Sequence, residues 1–233
     1  MPREAAGVAK RLVRVHILRA MDYEAVLGPE ELLSERPFTD PDNTVREVDV
    51  MQFMLEEERE LAKRWADSGD AAPDGVVMKE PDEDGRRHLL VVPNVRALIE
   101  AAEFTAVGFF GRPRDEVDHS VLFGLEDELV DRMGRYSDAG LLSYYDVELI
   151  APKGTYGNLI LFSTPEVPPE WYRDKVHSRA VELSPGHYKQ VRLHKGSVTG
   201  SMLGGCSITV ERTKYFDFTG SEIWHGLRRF NGA

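Results

Sequence analysis

Residues 171–196, WYRDKVHSRAVELSPGHYKQVRLHKG, hold three of the chain's seven histidines: His177, His187 and His194. Imidazole is the side chain that most readily exchanges a proton near neutral pH, and it also ligates transition metals. Spacing limits what the three can share. His187 and His194 stand an odd number of positions apart on a strand, so they point to opposite faces and cannot hold one ion together. The chain has no H-x-x-x-H, H-E-x-x-H or C-x-x-C pattern. It also lacks G-x-G-x-x-G, G-x-x-x-x-G-K-[ST] and G-x-S-x-G, so nucleotide cofactors and nucleophile-elbow chemistry have no positive signal.

Two elements must position these groups. Residues 168–183 read as a helix with prolines in its first turn, and its apolar stripe is Trp171, Tyr172, Val176, Ala180 and Leu183. His177 falls at the border of that stripe, where it either reaches a ligand or points to water. A Ser184-Pro185-Gly186 turn and a strand over 187–195 follow. Strict alternation puts His187, Lys189, Val191 and Leu193 on one face of the strand. Tyr188, Gln190, Arg192 and His194 then lie on the other, a polar row that lines a cavity or faces solvent. Asp118 and His119 sit near the start of a helix over 115–133, where an acid more often caps than catalyses. The aromatic run 214–218 fits core or subunit contact. Cys206 is the single cysteine, so no internal disulfide forms and a reducing compartment is expected; its Gly-rich surroundings favour a small buried residue over a nucleophile.

Composition narrows the class. Of 233 residues, 42% are hydrophobic and 30% charged, as in ordinary globular chains. A net charge of −11 argues against nucleic-acid binding, which needs a concentrated basic surface. No run of about 18 apolar residues suggests a membrane span, and the N-terminus lacks an apolar signal core, so a cytoplasmic location is expected.

In chain order, residues 12–18 (LVRVHIL) alternate as a strand that places His16 on its wetter face, and 22–46 read as a long irregular connection of the kind used for lids or oligomer contacts. A helix over 48–65 presents Val50, Phe53, Met54, Leu61 and Trp65 on one stripe and solvates the acids of 56–60. Short strands at 76–78 and 89–92 and a helix at 95–103 capped by Asn94 complete the first part. Residues 104–195 then run strand, helix, strand, strand, helix, strand, the split βαβ order of a ferredoxin-like α+β unit. A last strand covers 208–218. The expected organisation is an N-terminal α+β region over 1–103, compatible with a degenerate second copy although no residue-level repeat accompanies it, a ferredoxin-like domain over 104–218, and a tail over 219–233.

This arrangement resembles the dimeric α+β barrel superfamily, which includes small monooxygenases, heme degraders, chlorite dismutases, dye-decolorising peroxidases and aldoxime dehydratases. The heme-containing aldoxime dehydratases give the nearest local likeness: Trp171 opens a helix carrying His177, and Arg192-Leu193 precedes His194 on the next strand. The resemblance implies a homodimer that binds heme, with His177 as the axial iron ligand and Trp171 and His187 in the heme pocket. It implies His194 as the acid–base group, aided by Arg192 and Tyr188, acting on a small nitrogen- or oxygen-containing substrate. The chain departs from the family in having Arg173-Asp174-Lys175 where a second histidine is found, and in having no tyrosine between Arg192-Leu193 and His194. Two other readings are compatible with the residues: a cofactor-free monooxygenase or cyclase using His194 and Tyr188 as acid and base, and a non-catalytic ligand-binding or dimerisation module.

Overall fold

The computed structural model describes residues 23–68, 73, 75–79, 81, 85–149 and 155–230. The expected strand at 12–18, with His16, lies outside the described residues. Among the described residues, nine strands form one mixed sheet: β1 (Ala25–Leu27), β2 (Val76–Met78), β3 (His88–Val92), β4 (Phe104–Pro113), β5 (Leu141–Glu148), β6 (Tyr156–Phe162), β7 (Tyr188–Gly200), β8 (Cys206–Asp217) and β9 (Trp224–Arg229). Five helices accompany them: α1 (Pro41–Asp67), α2 (Val95–Glu100), α3 (Ser120–Val130), α4 (Pro169–Arg173) and α5 (Lys175–His187). The sheet order is β1-β9-β8-β7-β4-β6-β5-β3-β2, antiparallel except for β1 beside β9.

The succession strand–helix–strand–strand–helix–strand over 104–195 is present as β4-α3-β5-β6-α4/α5-β7, and its strands stand in the order β7-β4-β6-β5. The sheet is larger than that unit. Strands β2 and β3 from the N-terminal region extend one side, and β8, β9 and β1 extend the other. Residues 219–233, expected as a tail, contain β9.

Both faces are covered. Met51, Met54 and Leu55 of α1 pack with Leu98 of α2 on Phe104, Ala106 and Phe110 of β4 and Leu159 and Leu161 of β6. On the opposite face, Leu129 of α3, Trp171 of α4 and Val176 of α5 meet Leu141, Tyr144, Ile160 and Phe162. Burial on both sides explains why β5 reads LLSYYDVE with almost no alternation. Close approach of α1 depends on Gly108, where a Cβ would meet the Met51 sulfur at 2.5 Å.

Several boundaries depart from expectation for local reasons. Helix α1 begins earlier, at Pro41, because the Asp40 carboxylate caps the Asp42 N–H at 2.9 Å and Pro41 starts the helix without needing a donor. Helix α3 begins later, at Ser120, because Glu116 has a positive φ of 60° and Asp118 caps the Ser120 N–H. The connection before α1 is no lid. Arg228 of β9, fully buried, donates to the carbonyls of Gly28, Pro29, Glu31 and Thr39 and to the Tyr215 hydroxyl. Phe38 packs edge-on against Tyr215 and Trp224. The segment is thereby tied to the β8–β9 end of the sheet.

The buried stripe of α1 is Thr44, Glu47, Met51, Met54, Leu55, Glu58, Arg59 and Ala62, while Phe53, expected inside, is exposed. Glu58, expected on a solvated acidic face, is completely buried beside the Ser143 hydroxyl, and neither carboxyl oxygen makes a hydrogen bond of full geometry. Burial raises its pKa to about 8. The folded state therefore keeps a proton that the unfolded chain loses near its ordinary carboxylate pKa, so this group's contribution to stability falls as pH rises from about 4.5 towards 8. Glu58→Gln removes that loss: thermal melts at pH 5.5 and 8.5 should show wild type losing stability across the interval and the variant losing much less, a gap on the order of 3 kcal/mol.

Candidate functional site

A cavity of about 230 Å³ lies between the sheet and the α3–α5 layer. Its walls are largely aliphatic and aromatic, drawn from β4 (Val107, Phe109), β7 (Val191, Leu193), β8 (Phe216) and α5 (Ala180, Val181). Polar groups gather at its two ends.

His177 stands at one end. Asp174 sets it there: the residue is extended, at ψ 131°, which breaks α4 from α5, and its carboxylate caps the N–H groups of Val176 (2.7 Å) and His177 (3.1 Å). Burial alone would raise Asp174's pKa, but hydrogen bonds from Tyr136 and these two amides, with Arg132 nearby, hold it below the usual range. The His177 ring lies 5.2 Å from the Trp171 ring, its Nδ1 has no hydrogen-bond partner, and it lines the cavity. Burial pushes its pKa down to about 4, only partly opposed by Asp174, so the ring is a neutral imidazole at physiological pH.

At the other end is a network on β5, β6 and α3. The Tyr144 hydroxyl donates to Glu126 at 2.8 Å, and Asn158 donates to Asp146 and, at 3.2 Å, to Tyr144. Arg87 donates to Glu126, and its Nε lies 3.8 Å from Asp146. Desolvation raises the pKa of both carboxyls, and the Glu126 charge raises Asp146 further.

Tyr188 reaches this cavity through a bulge. Its strand register against β4 shifts between Arg112 and Pro113, so Tyr188 joins Val191 and Leu193 instead of the row expected from strict alternation. The ring rests over Gly111, where any Cβ would collide with it. Burial pushes the Tyr188 hydroxyl well above its ordinary pKa.

The sheet separates the remaining candidates from His177. Arg192 and His194 lie on the α1 face. His194, fully buried, has Nε2 2.8 Å from Glu47 Oε2 and Nδ1 2.8 Å from Thr213 Oγ1. Arg192 donates to both Glu47 oxygens. Burial would raise Glu47's pKa; the hydrogen bonds from His194 and Arg192 outweigh it and hold the carboxylate below its ordinary range. Thr213, His194 and Glu47 have the order of a hydroxyl, a base and an orienting acid, but Thr213 is fully buried in a packed core, with no room for a substrate. A site joining His177 with His194 and Arg192 is therefore not formed, and the expected pairing of axial ligand and distal acid–base group is corrected on this point. His187 ends α5 and packs against His119 with the rings tilted and their centres 5.7 Å apart; His119 lines the cavity and His187 stands behind it. Cys206 is buried and its thiol pushed up to about 11, which suits packing and not attack.

Among the described residues, no group of three or more His, Cys, Asp or Glu is placed to hold a metal ion. For a heme, one feature suits: a neutral, unpartnered imidazole at Trp171. Two do not. The volume falls below the roughly 300–1,000 Å³ of sites for drug-sized ligands, which are smaller than a porphyrin. The polar end presents carboxyls, and no arginine or lysine among the described lining residues receives two propionates. The residues present do not fit a heme. Glu126, Asp146 and Asn158 were not singled out from sequence. The available signal was an acid within YYDVEL, a strand too uniformly apolar to have a wet face. No family model, curated protein or solved structure matches the chain.

Two outcomes test this geometry. His194→Ala leaves the Glu47 carboxylate short of a buried partner, so urea unfolding should show a loss of about 3–5 kcal/mol, while binding of any cavity ligand to the folded variant is unchanged. By NMR, the His177 ring should titrate near pH 4; because that lies below the unfolded value, its contribution to stability is lost as pH falls from about 6.5 towards 4.

Proposed function

We propose that this chain binds an elongated, mostly apolar small molecule in the cavity between the sheet and α3–α5, and is equipped to exchange a proton with it without a prosthetic group. The observation that carries the reading is an aromatic and aliphatic chamber holding a neutral imidazole at one end and two buried carboxyls of raised proton affinity at the other. Asn158 and Phe162, which mark the two ends on β6, are four residues apart, so the ligand spans roughly 13 Å. His177 is the group that exchanges the proton, in a water-poor setting where its proton affinity is shifted by burial.

The central six elements are read here as a ferredoxin-like unit, supported by the order β7-β4-β6-β5 and by α3 and α5 sharing one face. A barrel closed between two sheets is not part of the proposal, because α1 occupies the face such a partner would need. Heme is not part of it either, for the reasons of volume and charge given above.

A neutral fluorescent probe, 1-aminoanthracene, tests the reading. Wild type should bind it saturably at one site, and Ala180→Phe, which fills the chamber from α5, should lose binding while keeping its circular dichroism. Added hemin should give no stoichiometric Soret shift. Absence of saturable probe binding, or a hemin complex that His177→Ala abolishes, overturns the proposal.

A further inference from the structure

We propose that the ligand carries a cationic amine which docks at Asp146, where two carboxyls in the cavity wall face a single guanidinium; this rests on the cavity being a binding site.

The charge count at the polar end leads there. Two carboxyls, Glu126 and Asp146, share one guanidinium, Arg87. Among the described residues the nearby charges do not complete the balance: Lys79 is exposed and paired with Asp127, and Glu148 adds further negative potential. Among the described lining residues there is no lysine or arginine. Counted over the described residues, the end is therefore one positive charge short when both acids are ionised. The raised proton affinity of Asp146 marks the unfilled place. An ammonium fills it, since it supplies both the charge and several N–H donors.

The surroundings suit a cation. The Arg87 guanidinium already lies 4.6 Å from the Phe123 ring centre, and Phe123 meets Tyr156 edge-on at 5.5 Å beside the same carboxyls. Anions are disfavoured for the same reason that cations are favoured. The far end sets the ligand's other half: the His177 ring, in the cavity wall against Trp171, offers a neutral hydrogen-bonding group. The ligand class is thus an arylalkylamine, with its ammonium at Asp146 and its rings running towards His177.

Three probes of one shape separate the outcomes: 2-(2-naphthyl)ethylamine, 2-(2-naphthyl)ethanol and 2-naphthylacetate, titrated calorimetrically into the full chain at pH 7 in phosphate and in Tris. The amine should bind at least about tenfold tighter than the alcohol, and the acetate should bind weakest. The difference in heat between buffers should report net proton release on amine binding, the direction set by the raised Asp146. Asp146→Asn should bring the amine to the affinity of the alcohol and leave the alcohol unchanged. The wild-type series and proton count stand without any variant, and Glu126→Gln, which should also weaken the amine selectively, covers the case in which Asp146→Asn does not fold. Alcohol binding as tight as amine, or amine binding without proton release, overturns the amine assignment and leaves the cavity reading standing. Failure of all three probes overturns both.

Discussion

Glu47 receives hydrogen bonds from both Arg192 and His194, deep under α1, and this contact decides what each face of the sheet does. A buried carboxylate is tolerated only when its charge is answered, and here a guanidinium and an imidazole from β7 answer it. Helix α1 is thereby fixed across the sheet, with Gly108 allowing its close approach and Met51, Met54 and Leu55 completing a tight apolar contact. Because one face is sealed in this way, the open volume falls on the other face, where α3 and α5 stand over the sheet.

The two polar sets on β7 and its neighbours therefore have different physical roles. On the sealed face every polar atom of His194 is engaged, as far as its two ring nitrogens allow, and the group holds elements together. On the open face His177 keeps an unsatisfied nitrogen and Asp146 is a carboxyl whose proton affinity burial has raised, both energetically costly. Groups left in that condition inside a cavity are suited to meeting a ligand, whereas groups fully satisfied inside a core are suited to stability.

Much of the scaffold was legible from residue patterns. The order of elements over 104–195, the Asn94 cap and the strands at 76–78 and 89–92 follow from turn residues and periodicity, and His177 was identified as a border position that could reach a ligand. What escaped has specific causes. Tyr188 changed faces because a bulge, set by pairing with β4, breaks the alternation that places side chains. Glu47 and Glu58 were hidden because acids in a helix read as surface unless their partners, distant in sequence, are known. Asp146 and Asn158 pair across β5 and β6, and nothing local to either residue announces that pairing. Helix α5 continues through Pro185 to His187, where Arg114 takes the Pro185 carbonyl, so the Ser-Pro-Gly stretch that suggested a turn lies inside the helix.

Xenon pressurised into crystals of the chain tests the division of the two faces most directly, since it enters dry apolar cavities and needs no knowledge of the ligand. Anomalous density should appear between α5 and the sheet, beside Val176, Val191 and Tyr188, with none around His194 on the α1 face. Xenon at His194, or no xenon beneath α5, would contradict a one-sided site.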